Sequence, residues 1–214
     1  MMLIKELQQL KESYPIVKDY LPLLEKAVDL DRFWHSVGTT ITAIELMQSL
    51  VETSCEGMTQ PQKEEQVYKA AIAGLLHDCA KHTSLEEMRT ICETYGILED
   101  DVGAFTPSIL HAAIGVFVAQ RDYQVFDIEI LNAIRYHTTG RADMTLLDKV
   151  IYLADSFEPT RGLDHSKMNI ELSKINIDQV LYEQLEFNIR LIVKQGKFLN
   201  LDTVRARNDL MGKR

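Results

Sequence analysis

Six side chains able to bind a metal ion lie in otherwise apolar stretches of this sequence: His35, His77, Asp78, His111, His137 and Asp155. Imidazole and carboxylate together suit Fe, Mn, Co, Ni or Zn better than Mg. The centre of the set is the run Ala70-Ala71-Ile72-Ala73-Gly74-Leu75-Leu76-His77-Asp78-Cys79-Ala80-Lys81, an apolar, helix-favouring stretch that ends in a histidine and an aspartate side by side. Leu75 and Leu76 put that pair at or near the inside of the protein, where an ionised carboxylate is costly unless it is paired or bound to a metal. Asp155 shares a stripe with Leu147, Ile151 and Ala154, and there it demands a cationic partner. A single histidine on an apolar face is more often a core residue with a satisfied hydrogen bond, and His35, His111 and His137 each fit that account taken alone. The six groups together, spread over five segments, fit it poorly. His82 and His165 lie in polar sequence and read as surface residues.

The elements that must position these groups are helices. Apolar residues recur at helical spacing almost throughout. The spacing predicts helices over Leu3–Ser13, over Ile16–Leu30 (opened or kinked at Pro22) and over Arg32–Thr53, with Asp31 as N-cap. Residues 54–65, polar and holding Gly57 and Pro61, read as the main surface loop, and helix returns from Gln66 into His77-Asp78. Further helices are expected over Leu85–Tyr95, Ile109–Arg121, Phe126–Tyr136, Met144–Phe157, one long Ile170–Lys194 and a short Thr203–Leu210. No stretch alternates convincingly as a strand, and only 5 Pro and 10 Gly punctuate 214 residues. The expected fold is all-α.

Hydrophobic content of 46% with 26% charged residues is ordinary globular composition. A net charge of -9 argues against a nucleic-acid partner, which would need a basic face for phosphates. A small anionic substrate stays open, because a local cluster of cations or a metal overrides a negative average. No run is long enough to cross a membrane and the first residues lack a signal-peptide core. Cys55, Cys79 and Cys92, odd in number and without close pairing, read as free thiols in a reducing cytoplasm. Cys79 beside the His-Asp pair reads as packing rather than as a ligand.

The pattern His35 … His77-Asp78 … Asp155 is similar to that of the HD-domain metal-dependent phosphohydrolases. Arg32-Phe33-Trp34-His35-Ser36, Leu75 to Lys81, Ile134-Arg135-Tyr136-His137-Thr138-Thr139-Gly140 and Tyr152 to Arg161 resemble one subfamily, the bacterial HD-domain bis(5'-nucleosyl)-tetraphosphatases of the symmetrical type. His-Thr-Thr-Gly with the downstream Asp-x-x-Glu-Pro-x-Arg is the specific part, and Thr203-Val204-Arg205-Ala206-Arg207-Asn208 shares the family look. The resemblance implies an HD-domain helical bundle with a metal site between central helices. It implies a single domain over 1–214, made of an N-terminal helical extension (1–30), an HD core (31–161) and C-terminal helices (162–214).

For function, the resemblance implies a metal-dependent enzyme that cuts diadenosine tetraphosphate symmetrically into two ADP. His35, His77, Asp78 and Asp155 would hold the metal, which the resemblance makes iron. Asp78 would also orient or deprotonate the attacking water, and Lys81 would direct a point charge at the phosphates. His111, His137, Thr138, Thr139 and Arg161 would join Lys81 in binding substrate, with a second metal at His111 and His137 as the alternative use of the same geometry. Read without the family, Lys81 is equally a solvated lysine, Thr138-Thr139-Gly140 a simple turn, and Arg32, Arg135 and Arg141 surface ion pairs. The expected partner is a dinucleoside polyphosphate or nucleoside diphosphate, with nucleic acid and membrane excluded and a homodimer left open. The competing functions are another nucleotide phosphohydrolase on the same site (a 5'-nucleotidase or cyclic-nucleotide phosphodiesterase), a non-catalytic nucleotide-sensing module and, more distantly, a di-iron oxygenase.

Overall fold

The apolar run that ends in His77-Asp78 is the buried end of a helix in the computed structural model, which describes residues 2–53, 55–97, 106–161 and 166–212. Eleven α-helices follow one another, with no strand among the described residues. They are α1 (Met2–Ser13), α2 (Pro15–Ala27), α3 (Leu30–Thr53), α4 (Gln60–Leu76), α5 (Leu85–Tyr95), α6 (Pro107–Tyr123), α7 (Ile128–Tyr136), α8 (Leu146–Phe157), α9 (Ser166–Ile175), α10 (Ile177–Lys194) and α11 (Leu201–Gly212). A short 3-10 turn, Pro159–Arg161, follows α8.

Three boundaries differ from the sequence expectation, each for a local reason. Asp29, not Asp31, caps α3: its carboxylate accepts the Arg32 N–H at 2.7 Å. The expected loop over 54–65 is shorter, because Thr59 and Gln62 form a reciprocal capping box that starts α4 at Gln60. Pro61 lies in the first turn of that helix, where its missing N–H costs nothing. The long helix expected over 170–194 is two helices, since the Asn176 side chain accepts the Gln179 N–H and opens α10 afresh. Pro22 sits inside α2 without ending it.

One hydrophobic core runs from Leu10 of α1 to Leu210 of α11. α3 and α4 form its centre, with α8 packed against both and α7 packed against α4 and α8. The α3–α4 approach is so close that a Cβ on Gly74 would come within 2.9 Å of Thr40 Cα, so only glycine fits there. Leu46 of α3 and Leu75 and Leu76 of α4 are fully buried, each worth roughly 1.5–3 kcal/mol of removed apolar surface. This packing fixes the end of α4 against the middle of α3, and so fixes what lies just beyond Leu76. No helix among the described residues is long and apolar enough to cross a membrane.

Candidate active site

Past Leu76 the chain tightens into successive short turns, with Cys79 N bonded to Leu76 O at 3.1 Å, Lys81 N to Asp78 O at 3.0 Å and Thr83 N to Ala80 O at 3.1 Å. Residues three apart then eclipse one another, which brings the Lys81 Nζ to 3.5 Å from Asp78 Oδ1. Around Asp78 four helices deliver the other groups. His35 comes from α3, His111 from the first turns of α6, His137 from the C-terminal cap of α7 and Asp155 from the last turn of α8. His77 and His111 are fully buried and Asp78 nearly so.

Asp78 presents one oxygen to each half of this cluster. On the Oδ2 side, His35 Nε2 lies 3.1 Å from His77 Nε2. Asp155 Oδ1 lies 3.0 Å from the first of these nitrogens and 3.6 Å from the second, and Asp78 Oδ2 at 3.7 and 3.6 Å. On the Oδ1 side, His111 Nε2 lies at 3.0 Å and His137 Nε2 at 3.5 Å, with 3.1 Å between the two rings' nitrogens. Here donors stand beside the imidazoles: Lys81 Nζ is 3.1 Å from His111 Nε2, and the Thr138 hydroxyl is 3.0 Å from His137 Nε2.

All four rings face the cluster with the same nitrogen because the other is engaged. Nδ1 of His35 donates to Glu158 Oε1 at 2.8 Å, that of His77 to Gly74 O at 2.8 Å, that of His111 to Pro107 O at 3.1 Å and that of His137 to Ile134 O at 2.7 Å. These partners only accept, so Nδ1 carries the proton and each neutral ring turns an Nε2 lone pair inward. Burial lowers the pKa of His77 even against the pull of Asp78, and brings His111 down to about 4. At His35 burial acts the same way, but the bonds to Asp155 and Glu158 outweigh it and raise the pKa, so this position draws positive charge. Burial would raise Asp78 and Asp155, and both are held well below the ordinary carboxylate range only while the facing imidazoles present protons; with lone pairs turned inward that task falls to a cation. Lone pairs and carboxylates aimed at one another are stable only with cations among them. Asp78 Oδ1, buried, accepts no hydrogen bond among the described residues. The ligand atoms of His35, His77 and Asp155 lie close enough together to hold a divalent transition metal, and those of His77, Asp78 and His137 form a second such group.

Cations also ring the cluster in this acidic chain. Arg32 Nη1 donates to Asp78 Oδ2 at 2.5 Å, and Arg161 Nη2 donates to Asp155 Oδ1 at 2.5 Å. Arg32 is thus a site residue and not the surface ion pair its sequence suggests. Arg141 is a structural partner, donating through Nε and Nη2 to the buried Asp148 at 2.9 and 2.7 Å. Thr138 and Arg161 line a cleft beside Asp155, whereas Thr139 is buried and donates its hydroxyl to Gly140 O at 2.9 Å. Cys79 is buried, its thiol pKa pushed up by that burial and its Sγ 3.6 Å from Gly115 O, which matches a packing role. His82 is half-exposed beside Asp29, and His165 lies outside the described residues.

One residue, so far only the glutamate of the Asp-x-x-Glu-Pro-x-Arg motif with no role of its own, proves to support the site. Glu158 is fully buried, and besides His35 it accepts the Thr160 N–H at 2.6 Å and the Thr160 hydroxyl at 2.5 Å. A Cβ on Gly38 would collide with its Oε2, so the glycine on α3 makes room for this carboxylate. The signal was present: a glutamate between Phe157 and Pro159 with no exposed helix face to belong to.

A helical bundle with a histidine–aspartate pair at its centre defines the class, and this chain belongs to the HD-domain family, whose model matches residues 32–160. Over nearly its whole length it is similar to the symmetrical bis(5'-nucleosyl)-tetraphosphatase of Bacillus subtilis (strain 168), with 32% identity covering 91% of this chain and 97% of the relative. The protein of the same name from Halalkalibacterium halodurans is 29% identical, covering 89% and 95%. Among solved structures, a protein from Clostridium acetobutylicum described as a predicted HD superfamily hydrolase involved in NAD metabolism superposes with a TM-score of 0.79 at 30% identity, covering 92% of this chain and 97% of its own.

Proposed function

We propose that this protein is a metal-dependent phosphohydrolase that takes a dinucleoside polyphosphate and cleaves diadenosine tetraphosphate symmetrically into two ADP. The observation that carries the reading is the division of labour at Asp78, whose two oxygens face a lone-pair cluster on one side and donor-bearing imidazoles on the other. The relatives of nearly equal length bear the name of this activity.

His35, His77, Asp78 and Asp155 would hold one divalent metal, with iron the choice the family resemblance favours. The chemistry supplied by such an ion is a lowered water pKa and Lewis acidity at a phosphoryl oxygen. Asp78 Oδ1 orients the attacking water; held well below the ordinary carboxylate range, it is a poor proton acceptor and a good hydrogen-bond acceptor. Lys81, its pKa lowered by burial against the attraction of Asp78, brings a point charge to the phosphates. His111 serves phosphate binding by orienting the Lys81 ammonium, which keeps further N–H groups for the anion, while His137 accepts the one proton of the Thr138 hydroxyl and fixes that side chain at the cleft. Arg161, half out in solvent beside Asp155, clamps the polyphosphate. Water adds to a phosphorus next to the central bridging oxygen, the bond to that oxygen breaks, and ADP leaves with a second ADP formed.

A second reading is favoured by the same Nε2 geometry: with Lys81 turned to substrate, His111, His137 and the shared Asp78 offer a weaker second metal position. Chromatography of the products from diadenosine tetraphosphate tests the activity. ADP as the sole nucleotide product is expected; ATP with AMP would mean asymmetric cleavage, and turnover of nucleoside monophosphates alone would mean a nucleotidase.

A further inference from the structure

The cleft of about 380 Å³ that Asp155 lines has two chemically different kinds of wall. His137, Thr138, Asp155 and Arg161 bring charge and hydroxyl or imidazole groups; Gln184 and Asn188 of α10 bring amides and no charge. Those amides are ordered from beneath. Asn188 Nδ2 donates to the hydroxyl of the buried Tyr152 at 2.8 Å, and Asn188 Oδ1 accepts from Gln184 Nε2 at 3.1 Å. Asn188 is thereby engaged on both sides of its amide. Gln184 spends one N–H on Asn188 and, among the described residues, keeps Oε1 and a second N–H, a neighbouring acceptor and donor. That pairing is the complement of a nucleobase edge, as when a carboxamide meets the amine and adjacent ring nitrogen of adenine. Charged groups and neutral, hydrogen-bonding amides in one cleft also match the mixed chemistry of a nucleotide, and the cleft volume is in the range of small-molecule sites.

Resting on the reading above, we infer that this cleft seats one nucleoside half of the substrate, that Gln184 reads the base edge, and that Asn188 and Tyr152 are positioning residues holding the Gln184 amide. The account places base recognition on α10, outside the HD core, while the phosphates remain with the core's own residues.

Calorimetric titration of metal-loaded full-length protein with ADP and, separately, with inorganic pyrophosphate tests it. Wild type should bind ADP more tightly than pyrophosphate. Gln184→Ala should weaken ADP about tenfold, the loss of one good hydrogen bond, while pyrophosphate affinity stays within a factor of about two. Asn188→Ala should reproduce the effect, and its pyrophosphate affinity separates loss of positioning from loss of the fold. Equal ADP affinity in wild type and Gln184→Ala would overturn the inference, as would a parallel loss of pyrophosphate binding, which would make Gln184 part of a phosphate subsite. Wild type that binds ADP no better than pyrophosphate would instead overturn the dinucleoside polyphosphate reading, and this inference with it.

Discussion

The two oxygens of Asp78 look into differently furnished half-sites. On the Oδ2 side the Nε2 atoms of His35 and His77 face each other and carboxylate oxygens, with no side-chain donor to either among the described residues, the His137 ring stands edge-on to His77, and the nearby guanidiniums of Arg32 and Arg161 bond the carboxylates. On the Oδ1 side the imidazoles of His111 and His137 each have a donor from this chain, the Lys81 ammonium and the Thr138 hydroxyl. The same residue types at similar spacing thus serve two ends. On the proposed function, a metal is the partner where no side-chain donor reaches the lone pairs, and where Lys81 is supplied His111 orients its ammonium toward an anion. What decides is the neighbour brought in by the turn after α4 and by the end of α7, not the histidine.

The largest effect should come from removing the shared residue. Asp78→Ala is expected to lose all measurable hydrolysis and its bound metal, with helical circular dichroism retained; full activity in that variant breaks the division at its root. Next, Lys81→Ala acts on one side only. It should cost about 10²-fold in kcat/KM, the range for losing one charge-stabilising donor, while metal content by elemental analysis stays at the wild-type level. Loss of metal in Lys81→Ala would mean the sides are not separable. Glu158→Gln sharpens the other side: with the His35 support weakened, metal affinity should fall about 10–100-fold, read by competition with a chelator, and Gly38→Ala should move it the same way by crowding the carboxylate. The smallest effect belongs away from both sides. Asp127 caps α7, accepting the Glu129 and Ile130 N–H groups at 2.8 and 3.2 Å and pairing with Lys69 at 3.1 Å. Asp127→Ala should lower stability by about 1 kcal/mol in urea denaturation and leave metal content unchanged.

The two sides were not equally legible in the sequence. His77-Asp78, His35 and Asp155 stand out because ionisable ligand types are expensive in apolar stretches, and the all-α fold follows from periodicity alone. Arg32 and Glu158 were given no role, because a charge at a helix end is usually solvated; the packing of α3 against α4 at Gly74 carries Arg32 to Asp78, and that of α8 against α3 at Gly38 carries Glu158 to His35. Gln184 and Asn188 were illegible for a related reason: amides on a long amphipathic helix look like any wet face until α8 brings Tyr152 beneath them. The break at Asn176 was hidden because Ile175 and Ile177 continue the apolar pattern through it. Thr59 with Gln62, by contrast, spelled a capping box that the neighbouring Gly57 and Pro61 obscured.

The division at Asp78 is tested most directly by counting metal per chain, by elemental mass spectrometry on purified wild type and His111→Ala. The account predicts about one tightly bound metal in both proteins, with most turnover lost in the variant. Two tightly bound metals in wild type, falling to one in His111→Ala, would contradict it and place His111 and His137 among the metal ligands.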